Sequence, residues 1–147
     1  MLRCESGRRM MPLHLNIRPG ERLFINGAII QNVKSHTADF TIENAARVLR
    51  ESECIAADDA NTLAGRVTLA LQNLHLSADR QAQLTELTSL FHVMREQMPE
   101  GLPVMRRIRA ALASGNTYGA LKMGRDLFEI ENWTVQRATR SDSHRDA

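Results

Sequence analysis

The sequence predicts an α+β fold: a small antiparallel β-sheet or barrel-like meander, followed by a bundle of about four helices. Three observations predict it. Between Leu13 and Arg50 apolar residues alternate with polar ones and are interrupted by Pro-Gly and Asn-Gly pairs. After Ile55 the apolar positions change to three-and-four spacing. The chain of 147 residues, 43% apolar and 24% charged, has ordinary globular composition and is long enough to bury a core. The division expected from these patterns is an extension at 1–10, a β domain at 11–55, a helical domain at 56–137 and a flexible tail at 138–147.

Leu13, Leu15 and Ile17 fall on one face and His14, Asn16 and Arg18 on the other, the period of a half-buried strand. Arg18-Pro19-Gly20-Glu21 suits a type II turn, because proline presets φ at the second position and glycine accepts positive φ at the third. Arg22 to Ile25 is then the return strand, with Arg18 and Arg22 flanking a hairpin turn. Asn26-Gly27 is a favoured pair for a two-residue type I′ hairpin, leading to a third strand at Ala28 to Val33. Lys34-Ser35-His36 is a polar break. Ala38, Phe40 and Ile42 alternate in a fourth strand, and a fifth falls around Arg47 to Arg50.

The first helix is expected to start after Asp58 or Asp59 and to carry Leu63, Val67, Ala70, Leu71 and Leu74 on one face, slightly weakened by Gly65. Ser77 is the expected cap of a second helix, with Leu84, Leu87, Phe91, Met94 and Met98, that Pro99 and Gly101 stop. Pro103 fits the first turn of a third, with Val104, Ile108 and Leu112, ended by Gly115. Asn116 or Thr117 caps a fourth, with Tyr118, Leu121, Gly124, Leu127 and Phe128 on its apolar side. That helix is expected to fray after Arg137.

A formal charge of +2 and a pI near 8.8 are too mild for a protein that coats nucleic acid by charge alone, so any such site must be local. Cys4 and Cys54 stand far apart with no metal-ligand cluster beside them, as expected of reduced thiols in a cytoplasm. The five histidines show no metal spacing, and no Walker loop, GxSxG or GxGxxG is present. Neither an enzyme nor a cofactor is indicated. No run reaches the roughly 18 apolar residues of a membrane span. Residues 1 to 10 are Arg-rich and lack the strand pattern that follows Met11, which is the expected translation start.

The candidate nucleic-acid contacts are Arg18, Arg22, Lys34 and Arg47 in the β domain, then Arg106 and Arg107 in the third helix. Arginines on either side of a tight turn suit phosphate by charge-assisted hydrogen bonds, although Glu21 between them can neutralise the pair. The helical arginines, including Arg109, read either as a solvated face or as a phosphate patch. Met94 and Met98 read either as core or as an adaptable partner groove. Aromatic stacking platforms are few: one Trp, one Tyr and four Phe.

Met11-Pro12-Leu13 with Leu15, then Arg18-Pro19-Gly20-Glu21-Arg22-Leu23-Phe24-Ile25-Asn26-Gly27-Ala28-Ile29-Ile30, resembles the opening of the FlbT family of flagellum biosynthesis repressors. Ile42-Glu43-Asn44, Val48-Leu49-Arg50-Glu51, Asp59-Ala60-Asn61-Thr62 with Arg66, and Gly115-Asn116-Thr117-Tyr118-Gly119-Ala120-Leu121-Lys122 continue the resemblance, which runs from residue 11 to residue 131. It implies a non-enzymatic, cytoplasmic, post-transcriptional regulator. Such a protein would bind the 5′ untranslated region of flagellin mRNA, repressing its translation or promoting its decay; some members act as activators. The implied partners are the flagellin mRNA leader and the flagellar regulator FlaF or flagellin itself. The alternative is a protein-interaction adaptor or chaperone-like regulator of flagellin that does not touch RNA. Edge strands that seek pairing allow a homo-oligomer.

Overall fold

The computed structural model describes the backbone of residues 12–76 and 80–145, with side chains as far as Thr134, Ala57 excepted. The extension at 1–10, the Met11 start and the Ser77 cap lie outside the described residues. The chain divides into two compact units, residues 1–54 and 55–147.

In the first unit, β1 (Leu13–Ile17) pairs antiparallel with β4 (Ala38–Ile42), Leu13 opposite Ile42 and Ile17 opposite Ala38. A second sheet has β2 (Arg22–Ile25) at its centre, between β3 (Ala28–Gln31) and β5 (Val48–Arg50). Leu15, Ile17 and Leu23 bury together, with Ile25, Ile30, Ile42 and Val48 packed against them, so strands from the two sheets share one apolar cluster.

The Asn26-Gly27 corner is the expected hairpin, with φ of 50° and 86° that only a primed turn asks for. The Pro19-Gly20 corner is a turn of the expected kind but not a hairpin. Gly20 sits at φ 79° and the Glu21 amide donates to the Arg18 carbonyl at 3.0 Å. Beyond the turn, however, the Gly20 amide donates to the Asn32 carbonyl (2.8 Å) and the Asn32 amide to the Glu21 carbonyl (3.1 Å). The chain leaving the corner is therefore held by the end of β3, and β1 finds its partner in β4. The corner links two sheets rather than two paired strands.

Asn32 also stops β3 short of Val33. Its side-chain amide donates to the carbonyls of Ile17 (2.8 Å) and His36 (2.9 Å), while its oxygen accepts from the Lys34 amide (2.9 Å). A buried asparagine thus satisfies three backbone groups, two of them in a loop outside any strand.

The second unit contains α1 (Leu63–Leu76), α2 (Arg80–Gln97), α3 (Leu102–Ala113) and α4 (Thr117–Arg145). The start of α1 differs from expectation. Ala57–Asn61 forms a 3₁₀ turn containing both aspartates, and Thr62 is the cap, its hydroxyl accepting from the Gly65 amide at 3.0 Å. Glu131 of α4 accepts a second orphan amide, that of Ala64, at 3.0 Å. Asn116 caps α4 through the Gly119 amide, 2.9 Å away. That helix continues past Arg137 to Arg145, in keeping with a sequence that has no glycine or proline after Gly124.

α1 packs against α2 and α4, and α3 against α4. Leu71, Leu74, Leu90, Met94, Met105, Ile108 and Leu127 are fully buried. Burial of each such side chain contributes about 1.5–3 kcal/mol. Met94 and Met98 belong to this core, so the methionine groove is not formed.

Candidate functional site

The bonds that build the corner between the sheets also place its charges. Asn32 ties the Pro19-Gly20 turn and the Lys34–His36 loop into one feature, and Arg18, Lys34 and His36 are all exposed on it. The side chains of Arg18 and Lys34 make no hydrogen bond or ion pair among the described residues. Arg22 lies at the near end of β2, and its guanidinium stands 3.7 Å from Glu51 with both side chains more than half exposed. Such a pair is weak and yields readily to a competing anion.

Arg47 stands apart from these three. Its amide donates to the Asn26 side chain (2.8 Å) and its carbonyl accepts from the Asn26 amide (3.0 Å), at the far end of β2. Glu21 is taken by a residue absent from the candidate set. Arg50 reaches it at 2.9 Å and also donates to the Asn16 carbonyl at 2.9 Å, joining the end of β5 to β1. The Arg18 backbone amide is a second donor to Glu21 (3.2 Å). Glu21 therefore serves the framework and leaves the Arg18 guanidinium without an ion pair among the described residues.

The three arginines of α3 diverge. Arg106 is exposed, Arg107 stands 3.7 Å from Asp126 of α4, and Arg109 lies over the Phe91 ring of α2, 5.2 Å from its centroid. Arg95, one turn along α2, lies 5.7 Å from the same centroid. These two guanidinium groups border a groove of about 440 Å³ between α2 and α3. Its floor is Leu84, Leu87 and Phe91 on one side and Ile108 and Leu112 on the other, with His92 at the rim. The groove escapes a search for single motifs, although Phe91 and Arg95 at helical i, i+4 spacing are its visible trace.

Cys54 is the one described cysteine, and its thiol donates to the Arg50 carbonyl at 3.6 Å. Burial, then the charges of Glu51 and Glu53, push its pKa above the ordinary thiol range, the opposite of an activated nucleophile. Among the described residues no group of three His, Cys, Asp or Glu side chains could hold a metal ion. No helix built from them is long and apolar enough to cross a membrane.

The fold and these surfaces define a small α+β protein that offers charge and an apolar groove for binding. The chain belongs to the FlbT family: it matches the family described as flagellar protein FlbT over residues 13–135. It is 33% identical over 127 residues to the probable flagellum biosynthesis repressor protein FlbT of Caulobacter sp. strain K31, covering 83% of this chain and 95% of that one. It is 30% identical to the protein of the same name from Rhodopseudomonas palustris strain TIE-1, over 86% of this chain and all of that one (100%). The flagellum biosynthesis repressor protein FlbT of Caulobacter vibrioides strain CB 15 is 29% identical, over 83% and 88% of the two chains. No solved structure matches the chain.

Proposed function

We propose that this chain regulates flagellum synthesis by binding the 5′ untranslated region of flagellin mRNA, so that translation falls or the message decays. Family membership and the repressor names of the relatives support the regulatory part. One observation supports the RNA contact: the corner pinned by Asn32 carries Arg18 and Lys34, which have no carboxylate partner among the described residues, and Arg22, paired there with only an exposed one. In a chain of net charge +2, such a local cluster is where phosphates would be held. Arg47, at the other end of β2, and Arg106 and Arg107, in the second unit, are secondary contacts in this reading. The protein acts in the cytoplasm, where the message is, and needs no cofactor or catalysis.

The test is retention of a labelled flagellin leader transcript by the full chain and by Arg18→Glu/Lys34→Glu. The double variant should keep its far-UV circular dichroism and bind at least tenfold more weakly. Three phosphate contacts to single-stranded RNA give a log–log salt slope of about −2, a roughly 20-fold loss between 50 and 200 mM salt. Equal retention by the variant removes the corner as the site. No preference of the wild type for the leader over a scrambled transcript removes direct recognition.

A further inference from the structure

We propose that the groove between α2 and α3 docks an amphipathic helix of a partner protein, one whose apolar stripe is flanked by carboxylates. The inference is independent of the RNA reading. It rests on three properties of the groove.

The first is length. Along α2 the groove runs from Leu84 to Arg95, which at 1.5 Å per residue is about 16 Å, the extent of a three-turn helix. A trough between two helices, lined at i, i+3/i+4 and i+7 positions, is the shape into which a third helix lays its own apolar stripe. The second is an unfilled apolar floor. Leu84 is 39% exposed, and Phe91 and Leu112 are only half-buried, although Leu87 and Ile108 beside them belong to the core.

The third property, charge, selects the occupant. Among the described residues lining the groove, Arg95, Arg109 and His92 face no carboxylate. Neither arginine makes a hydrogen bond or ion pair with any described residue; each is held only against the Phe91 ring. Stacking restrains a guanidinium and leaves its N–H fork directed outward, pre-organised for a bidentate carboxylate. An apolar floor between two uncompensated guanidinium groups complements a helix with large aliphatic or aromatic side chains and a Glu or Asp beside them. Single-stranded RNA fits less well, since the Phe91 ring, the one large aromatic surface among the described residues of the groove, is already covered by the arginines.

The experiment selects from a displayed library of random 16-residue peptides on the full-length protein, then measures one enriched peptide by fluorescence anisotropy. Enriched sequences should carry two or three large apolar residues at helical spacing with at least one flanking acid. Arg95→Glu/Arg109→Glu should weaken binding at least tenfold with an unchanged circular dichroism spectrum. The Glu/Asp→Lys version of the peptide should bind that variant better than the wild type. Leu84→Lys, at an exposed site, should weaken binding without altering either arginine, whereas Arg18→Glu/Lys34→Glu should leave it intact. The proposal is overturned by absence of enrichment, by enriched peptides without acids, or by binding indifferent to the charge reversal. It is equally overturned if the double variant abolishes self-association, which would make the occupant a second copy, or if it abolishes leader-RNA retention while no peptide binds.

Discussion

Replacing Asn32 tests whether one buried side chain holds the basic corner together. In Asn32→Ala three hydrogen bonds of 2.8–2.9 Å vanish, leaving the Ile17 and His36 carbonyls and the Lys34 amide without that partner. At roughly 0.5–1.5 kcal/mol for each bond, the loss is about 3 kcal/mol. Asn32→Asp is nearly isosteric and keeps the acceptor for Lys34, yet it sets a carboxylate oxygen where the amide nitrogen met two carbonyls. That adds repulsion and the cost of burying a charge, so it should destabilise more than alanine at neutral pH. Its deficit should shrink in acid, where a protonated carboxyl can donate to one of the two carbonyls. Native-state hydrogen exchange of the Leu15 and Leu23 amides is the appropriate assay, because Trp133 reports from α4. A loss of 3 kcal/mol raises their exchange by about 100-fold. A rise below about threefold for Asn32→Ala, or a milder effect of Asn32→Asp at neutral pH, would refute the reasoning.

Other substitutions probe the rest of the framework. Gly65→Ala should destabilise although alanine favours helix by about 1 kcal/mol, since the added methyl meets the Asp59 carbonyl and lies 2.9 Å from the Ala60 Cα; a lowered melting temperature by circular dichroism checks it. Arg50→Met should cost about 1–3 kcal/mol by leaving Glu21 half-buried without its ion pair, and adding Glu21→Gln should recover part of that in a double-mutant cycle. In a Cys4→Ser background, Cys54 should react with a disulfide reagent more slowly than a free thiol at neutral pH and accelerate in the alkaline range, with Glu51→Gln accelerating it further. The sign for stability follows: unfolding lets this thiol ionise at lower pH, so its contribution is intact below the ordinary thiol pKa and is lost as pH rises through the raised one.

Strand faces and turn glycines were legible because each depends on residues within a few positions. The alternation at Leu13, Leu15 and Ile17 marks a half-buried strand whatever that strand pairs with. Pairing is a different matter. β1 and β4 each present an apolar face, and nothing local says that Ile17 meets Ala38 rather than a residue of β2. Asn32 bears on that choice, and it reads as an ordinary polar residue at the end of an apolar run until its bond to Ile17, fifteen residues away, is known. The cap of α1 was misplaced for a related reason: Asp58 and Asp59 are good caps, but so is Thr62, and the 3₁₀ turn that takes up both aspartates leaves the capping to Thr62.

The basic residues show the same divide between what a residue is and what it meets. All are cations in the sequence. In the structure Arg107 is neighboured by Asp126, Arg109 is stacked on Phe91, Arg50 is consumed in joining β5 to β1, and Arg18 and Lys34 meet no partner among the described residues. A formal charge of +2 is therefore a poor guide to where an anion would bind. The corner and the groove, whose cations have no carboxylate partner among the described residues apart from the exposed Arg22–Glu51 pair, differ in chemistry. One is a polar corner of backbone turns that suits phosphate oxygens; the other is an apolar trough that suits a carboxylate only when a hydrophobic stripe comes with it. Charge reversal at Arg18 and Lys34 should thus act on RNA alone, and at Arg95 and Arg109 on an acidic helix alone. The two surfaces are separable by mutation because each is built within a single unit of the chain.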